Sequence, residues 1–512
     1  MITALILLVA VGILGWGFYR AQPYGKPGIL AWLQSVVLMA PWLTFFGLFA
    51  IGIYLNLAAI ILLIVISTGL YILLGRQLRA IADREGLTKP LSSVANVSAP
   101  PDAAADAEKS AEQSTAPLTS ESTPAAATSS SNASSNAATA PTIPAEDLQA
   151  IKGIFGIDTF FATETIPYQD GAIFRGNLRG EPAESHERLT ALLKEQVGDR
   201  YRLFLVEGVE GKPVIVVLPG TNQPKPTTAL QFVVALVLAL ATLATCMETA
   251  GILMGFDFFS SIDRYREVLP IATGIAAVLA IHEIGHRVLA SRNQVRLSPP
   301  FFIPTWQTGS FGALTRFESI LPNRTILFDV AFAGPAAGGL LALGLLVVGL
   351  VLSHPGSLFQ IPAEFFQGSI LVGTLASVVL GADIQKPLVD VHPLVVVGWL
   401  GLVITAINLM PAGQLDGGRI VQSIYGRKVA GRTTIATLIV LGLASLVNPL
   451  ALYWAILILF LQRDLERPAL NEISEPDDAR AALGLLVLFL MAATLLPLTP
   501  SLSGRLGIGG AI

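Results

Sequence analysis

The sequence predicts a polytopic α-helical membrane protein with a small soluble α+β domain and an N-terminal membrane anchor, joined to the rest by a disordered linker. Three observations predict this class: an apolar composition, two separate groups of long apolar segments, and a polar low-complexity stretch between them. Of the 512 residues, 53% are hydrophobic and 13% are charged, whereas soluble proteins carry about 25% charged residues. The net charge of −4 argues against a nucleic-acid partner.

Residues 1–90 are predicted to form a membrane anchor of about three spans. Apolar segments cover residues 2–19, 29–49 and 52–74, and about 20 apolar residues suffice to cross a bilayer. The basic residues that follow predict a cytoplasmic end by the positive-inside rule; they are Arg76, Arg79, Arg84 and Lys89. The N-terminus lacks the pattern of a cleaved signal peptide or an organelle transit peptide, which favours an uncleaved first span and a bacterial protein.

Residues 91–144 are predicted to be a disordered linker, because Ala, Ser, Thr and Pro dominate and aromatic residues are absent. Such a segment cannot bury enough apolar surface to offset the loss of chain entropy.

Residues 145–228 are predicted to form the soluble domain, on the same cytoplasmic side as the linker. Its predicted elements are helices at 147–155 and 182–197, and a hairpin of strands 201–207 and 212–219.

Residues 229–500 are predicted to form the membrane core, and residues 501–512 a tail. The stretch 433–462 is interrupted at Asn448-Pro449, so it fits one kinked crossing or two short ones. Residues 366–381 are a weaker apolar run, and residues 297–324 are apolar but rich in Pro and Gly, which favours a re-entrant or membrane-edge hairpin. The remaining predicted spans are 229–250, 268–291, 325–352, 394–411 and 480–499.

An HExxH motif lies inside the predicted span 268–291, where ionisable residues are costly and usually mark function. His282 and His286 are four residues apart and share one face of a helix, so both can offer a ring nitrogen to one metal ion. Glu283 lies beside them and is suited to activating a bound water. The alternative is a chance match in which the three side chains simply pack in a polar bundle core.

A catalytic zinc commonly takes three protein ligands, and Asp416 is the best candidate for the third. Cys246 is the only cysteine, so any metal must use histidine and carboxylate. Pro411 breaks the helix before Asp416, and Gly413, Gly417 and Gly418 let the backbone approach a metal closely. The alternative is an ordinary helix-end turn. The predicted topology brings Asp416 and the HExxH motif to a similar depth on the cytoplasmic side, provided that 366–381 does not cross the membrane.

Other residues near these motifs have weaker predicted roles. Asn408 is interpreted either as a hydrogen-bond partner of the substrate or of a zinc-bound oxygen, or as a cap at a span end. Asp329 is predicted to belong to a polar network within the membrane. Gly334–Gly339 is a run of small residues that lets helices pack closely. Gly309 and Gly312 lie in the predicted hairpin, where proline substitution is expected to depress activity without releasing metal.

Together these motifs resemble those of the site-2 protease family of intramembrane zinc metalloproteases. The matching elements are HEIGH at 282–286 with its preceding Ile281, AGP at 333–335 and NLMPAGQLDGG at 408–418. GNLRG at 176–180 is similar to an element of the plant and cyanobacterial branch, the EGY-like proteases; alone, it reads as a glycine turn before the Pro182 helix or as a ligand-binding loop. The resemblance covers about residues 150–500.

The resemblance implies one Zn²⁺ ion held by His282, His286 and Asp416, with Glu283 as general base. It implies a transmembrane-helix protein as substrate and membrane lipid as surroundings. The substrate helix must unwind locally, and the 297–324 segment is a candidate to pair with the unwound strand by β-addition. It also suggests a photosynthetic organism, hence a cyanobacterial plasma or thylakoid membrane.

Two other functions fit parts of the sequence. A divalent-metal (zinc) transporter can carry HExxH-like motifs, but it would want several ligands along a path and often repeated halves, and this chain concentrates its ligands and shows no internal repeat. An inactive scaffold is the third possibility, against which the complete set of four motif residues argues.

Overall fold

The computed structural model describes residues 18–19, 21–22, 25–50, 57–84 and 143–508, except residues 169, 209, 210, 306, 447 and 463. The chain divides into two compact units, 1–139 and 140–512. In the first, helices α1 (Gly25–Ala50) and α2 (Leu57–Arg84) pack against each other. They coincide with the second and third predicted spans. The first predicted span, apart from residues 18–19, and the linker up to residue 142 lie outside the described residues.

The soluble domain is a four-stranded antiparallel sheet with two helices. Helix α3 (Ala145–Gly153) precedes strands β1 (Phe160–Tyr168) and β2 (Gly171–Leu178); helix α4 (Pro182–Val197) precedes β3 (Tyr201–Glu207) and β4 (Pro213–Pro219). The strand order is β1-β2-β4-β3. Helix α4 begins with Pro182 and buries Ser185, Leu189, Leu193 and Val197 on the sheet, a spacing of four residues that places them on one face.

The predicted α4 and the β3–β4 hairpin are confirmed, whereas strands β1 and β2 were missed. Strand β1 is an edge strand, and among its nine residues Phe160 alone is buried, so its sequence lacks the alternation that marks a half-buried strand. The turn interpretation of GNLRG is wrong for its first three residues. Gly176, Asn177 and Leu178 are part of β2, paired with β1; Arg179 and Gly180 form the link to α4.

Four helices of the second unit are long and apolar enough to cross a membrane, by length and composition. They are α5 (Ala229–Leu253), α6 (Tyr265–Arg292, extended to Ile262 by a 3₁₀ turn), α7 (Arg324–Val351) and α12 (Asp478–Leu495). Each coincides with a predicted span. Helix α7 packs against α6 on one side and α9 on another, which makes it the centre of the helical bundle.

The other apolar segments form shorter helices. Helix α8 (Ile370–Leu380) has 11 residues, about half of what a crossing needs, and α9 (Pro393–Asn408) has 16. The stretch 433–462 is divided between two helices: α10 (Asp416–Ala444) has a kink at Gly426, and α11 (Pro449–Leu457) continues into a π-helical turn, Ile458–Gln462. Strands β7 (Phe359–Pro362) and β8 (Leu388–Val391) form a short antiparallel pair, and α13 (Pro500–Arg505) follows α12.

The Pro- and Gly-rich segment forms a β-hairpin, as predicted. Strands β5 (Phe301–Thr305) and β6 (Gly309–Leu314) pair antiparallel and pack against α5. Gly309 has φ +83°, and a Cβ there would lie 2.9 Å from Sγ of the buried Cys246 on α5. The hairpin therefore lies directly on the thiol-bearing face of that helix.

The sheet domain is joined to the helices by backbone hydrogen bonds. Leu205 in β3 donates its N–H to the Leu470 carbonyl and accepts from the Glu472 N–H, at 2.7 and 2.9 Å.

Arg324, buried at the start of α7, donates to the Ser423 and Ile424 carbonyls at 2.7 Å each. These carbonyls precede the Gly426 kink, where a helix loses its own partners, so Arg324 caps the first segment of α10.

Candidate metal centre

Helix α6 presents the HExxH residues on its buried face. Its buried positions recur every three or four residues from Val268 to Ala290, and His282, Glu283 and His286 are among them. Their ligand atoms lie within 4.8 Å of one another. The motif is therefore turned into the bundle rather than towards lipid.

Asp416 comes from a distant part of the chain to complete a three-residue cluster. The Asp416 Oδ2 lies 3.2 Å from the His282 Nε2 and 3.4 Å from the His286 Nε2, and the two Nε2 atoms are 3.2 Å apart. A tetrahedral ion with bonds of 2.0–2.1 Å holds its ligand atoms about 3.3 Å apart. The three atoms therefore have the mutual spacing that a zinc ion requires.

Helix α7 orients the two imidazoles. The Nδ1 of His286 donates to the Val330 carbonyl at 2.7 Å, which fixes the tautomer and leaves Nε2 as a ligand atom. Gly334 and Gly338, one turn apart, lie under the rings: a Cβ on Gly334 would be 2.1 Å from the His286 Nε2, and one on Gly338 would be 2.9 Å from the His282 Cβ. The prediction that the 334–339 run permits close packing is confirmed.

Glu283 is held beside the cluster by the hairpin side of the bundle. Thr315, directly after β6, donates its hydroxyl to the Glu283 Oε2 at 3.0 Å. The Thr315 carbonyl in turn accepts from Arg419 at 2.7 Å. Glu283, Asp416 and Thr315 line one small cavity, so the carboxylate that is suited to take a proton borders the same space as the candidate metal ligand Asp416.

Asp416 begins α10 after the break that Pro411 predicted. Its neighbour Arg419 is buried and pairs with Glu466 at 3.0 Å, while its Nη1 lies 4.0 Å from the Asp416 Oδ1. A Cβ on Gly417 would collide with the Leu409 carbonyl of the preceding loop, and a Cβ on Gly418 with the Gly413 carbonyl. Both glycines therefore let this loop pack closely against the start of α10; their predicted role in the approach to a metal stays a prediction.

Asn408 and Gly312 meet at the edge of the same cavity. The Asn408 amide donates to the Ile404 carbonyl at 2.9 Å and to the Phe311 carbonyl at 3.2 Å, which favours the interpretation as a cap that also fixes β6. Gly312 has φ +101°, and a Cβ there would lie 2.4 Å from the Asn408 Nδ2. Gly309 lies at the other end of β6, against Cys246, away from the ligand atoms.

Asp329 belongs to a polar contact, as predicted. Arg480 at the start of α12 donates to both of its carboxylate oxygens, at 2.7 and 3.1 Å. The pair links α7 to α12 and does not include the three-residue cluster.

Several residues of the site escaped sequence reasoning. Thr315, Val330 and the Arg419–Glu466 pair have no motif of their own, and their roles depend on contacts between elements 30 to over 100 residues apart. The sequence offered one signal for these residues, which is the position of Arg419 directly after the LDGG motif. An arginine that is buried beside a metal site needs a carboxylate partner, and the structure supplies Glu466.

Two family profiles match the chain. Residues 149–225 match the EGY3 middle domain, and residues 270–448 match peptidase family M50. The second range includes His282, Glu283, His286 and Asp416. No solved structure matches the chain significantly.

Curated relatives match over most of the chain. The probable zinc metalloprotease EGY2, chloroplastic, of Arabidopsis thaliana is 40% identical over 371 residues, which cover 71% of this chain and 67% of the relative. EGY1 of Oryza sativa subsp. japonica is 36% identical, covering 72% and 70%. EGY3 of Arabidopsis thaliana, a probable zinc metallopeptidase, is 33% identical, covering 70% and 66%.

The matches also bear on three predictions. The relatives are chloroplastic plant proteins, so the prediction of a bacterial protein is not borne out. They give no support to a divalent-metal transporter, and the predicted resemblance is confirmed. The chain belongs to peptidase family M50, the family of intramembrane zinc metalloproteases that its motifs predicted.

Proposed function

We propose that this member of the family hydrolyses peptide bonds within or near transmembrane helices of other proteins, using one Zn²⁺ held by His282, His286 and Asp416. The observation that carries the proposal is the convergence of the three ligand atoms, 3.2–3.4 Å apart, inside a helical bundle. All three residues are buried, and buried ionisable groups without a function are costly in a membrane protein.

A zinc ion held by these three residues would supply Lewis-acid chemistry at this position, lowering the pKa of a water molecule and polarising a carbonyl. The residues of the chain accept the proton and hold the reacting groups in position. Glu283 accepts the proton of the attacking water, and the Thr315 hydroxyl keeps its carboxylate in place. The Val330 carbonyl keeps His286 in the ligating tautomer, and Arg419 lies near the second oxygen of Asp416.

Strand β6 is suited to hold the substrate in extended form. A substrate helix hides its carbonyls in its own hydrogen bonds, so the segment to be cut must unwind. In the described residues β6 pairs with β5 alone, and residues 313–315 at its end line the cavity of Glu283 and Asp416. An added substrate strand would gain backbone partners beside Ala313, between the Phe311 and Thr315 carbonyls that already accept from Asn408 and Arg419, and would reach Glu283.

The wider organisation belongs to the same proposal. The anchor at 1–90, the linker at 91–144, the soluble domain at 145–228, the core at 229–500 and the tail at 501–512 are proposed as its parts. The cytoplasmic orientation of the metal site is proposed from the basic residues beside it, since both the HExxH helix and the Asp416 helix carry arginines close to the site; they are Arg287, Arg292, Arg419 and Arg427.

Substitution of Glu283 by Gln tests the function. The amide keeps the shape but cannot accept a proton, so we expect cleavage of transmembrane peptides in proteoliposomes to fall by about 10²–10⁴-fold, while metal analysis still finds one zinc per chain. Glu364→Gln, at an exposed position, is the control and should retain full activity. A Glu283→Gln protein that still cleaves would refute the proposal, as would metal transport that persists without cleavage in either protein.

A further inference from the structure

Gln462 is a buried amide that the proposed mechanism does not use. It ends the π-helical turn Ile458–Gln462 after α11, and such wide turns are frequent at functional sites. Gln462 is 7% exposed, and its side-chain Oε1 has no hydrogen-bond partner. Its backbone carbonyl accepts from the Gln414 N–H at 3.0 Å, which ties it to the loop that leads into Asp416.

Gln462 lines the same cavity as Glu283, His286 and Asp416. A buried acceptor without a partner costs about 1–3 kcal/mol. Among the described residues five other side chains carry such an atom, and none of them lines this cavity. The unpaired oxygen therefore belongs to a residue that borders the space where a substrate would lie.

An extended substrate has backbone groups on both of its edges. Pairing with β6 would satisfy the N–H and C=O groups of alternate residues on one edge, and the groups of the residues between them point the other way. Because the cavity is small and lined by protein, protein side chains are the nearest partners for them. The cavity thus needs an acceptor away from β6, and Gln462 comes from a separate element, the turn after α11.

We propose that the Gln462 Oε1 accepts a backbone N–H of the unwound substrate strand, which makes Gln462 a substrate-binding residue of this protease. The inference rests on the proposed function, because it assumes that a peptide strand enters this cavity. It adds to that function a specific residue, which binds the edge of the substrate strand that faces away from β6.

Inhibitor binding to the zinc-loaded full chain in detergent tests the proposal. The probes are acetohydroxamate, which can bind only the metal, and a hydroxamate extended by a Leu-Ala-Leu-Ala strand. Gln462→Met keeps the length of the side chain and removes the acceptor. We expect calorimetry to show about 10-fold weaker binding of the extended probe and unchanged binding of acetohydroxamate.

Ester analogues of the extended probe, each with one N–H replaced by oxygen, identify the contact. One ester should weaken binding to the unmodified protein by about the same factor and cost nothing more in Gln462→Met, as in a double-mutant cycle. Thr242→Val is the matched control: it also removes a buried, unpaired oxygen, outside this cavity, and should bind both probes normally.

The outcomes separate the two proposals. If neither hydroxamate binds the zinc-loaded protein, the proposed metal site fails. If both bind and Gln462→Met binds the extended probe as the unmodified protein does, the Gln462 inference alone is overturned. It is also overturned if the extended probe binds no tighter than acetohydroxamate, or if every ester weakens binding equally in both proteins.

Discussion

At the scale of single residues, two glycines on α7 make room for the two imidazoles of the cluster: Gly334 lies against His286 and Gly338 against His282. Gly334 lies so close to His286 that a methyl group would overlap the ring nitrogen that faces Asp416. The tautomer-fixing bond to Val330, one turn earlier on the same helix, depends on that close approach. The position of His286 is therefore set both by the missing side chain at Gly334 and by the Val330 carbonyl, which accepts the hydrogen bond from the ring.

Gly334→Ala should release zinc without unfolding α7. The methyl group must displace His286, and disturbing the groups that orient a ligand typically lowers metal affinity by about 10–100-fold. Alanine is meanwhile the better helix former, by about 1 kcal/mol. Titration with a competing chelator measures the affinity.

Gly344→Ala on the same helix is the matched control, because a Cβ there meets nothing within 4 Å. It should bind zinc as the unmodified protein does. If Gly334→Ala also keeps its zinc affinity, the close packing against His286 has no role in the metal site.

The sequence predicted the ligands but not the residues that hold them. His282 and His286 share a helix face by their spacing alone, and the break at Pro411 made Asp416 conspicuous. Thr315 and Gln462 belong to no recognisable motif, and their significance arises when separate elements close around the same cavity. Local patterns cannot encode such contacts, because they depend on how the helices pack.

At the scale of elements, hydrogen bonds at two points along β6 hold the hairpin to the site. Asn408 at the end of α9 donates to the Phe311 carbonyl in β6 and touches the position where a Gly312 side chain would be. Strand β6 then continues to Thr315, which bonds Glu283. A shift of β6 would move both the proposed strand-pairing edge and the proton acceptor.

Gly312→Ala is expected to slow cleavage while zinc stays bound. Its Cβ would collide with Asn408, and φ +101° is unfavourable for alanine, so β6 must move. The cleavage rate and the zinc content of the same preparation measure the two effects.

Gly356→Ala separates strain from collision. Gly356 also has a positive φ, +86°, but a Cβ there meets nothing within 4 Å. Both variants should lose stability through backbone strain, and Gly312→Ala alone should lose cleavage. Equal cleavage rates would contradict a role for β6 in the reaction.

The elements themselves were predictable to different degrees. The long apolar helices and the amphipathic α4 follow from periodicity, and the Pro-Gly composition of 297–324 excluded a helix. The kink of α10 at Gly426 was not predicted, because the helix continues on both sides of it and Arg324, over 90 residues earlier in the chain, supplies the cap.

At the scale of the whole second unit, the sheet domain and the membrane helices share a hydrogen-bonded seam. Strand β3 bonds the segment 470–472, and Arg324 contacts both that segment, through the Glu472 carbonyl at 3.4 Å, and α10. A disturbance in the sheet should therefore reach the helix that carries Asp416.

Phe174→Ala tests this coupling. Phe174 is fully buried in the sheet domain, and its truncation should destabilise the domain by about 3–5 kcal/mol. Hydrogen exchange followed by mass spectrometry should show faster exchange in residues 469–474 and at the Gly426 kink as well as in the sheet.

Phe489→Ala, which removes the same side chain from the exposed face of α12 (68% exposed), is the control and should leave exchange in these segments unchanged. Faster exchange confined to residues 143–220 in the Phe174 variant would mean that the sheet opens independently of the helices.

The contact between Cys246 and Gly309 gives the molecule a native reporter. The chain has one thiol, and it is covered by the first residue of β6. A bulky maleimide can react with that sulfur when the strand moves away from it, so the rate of alkylation would measure how often the hairpin opens. A bound peptide that holds the strand in place would slow the labelling, and no engineered probe is needed.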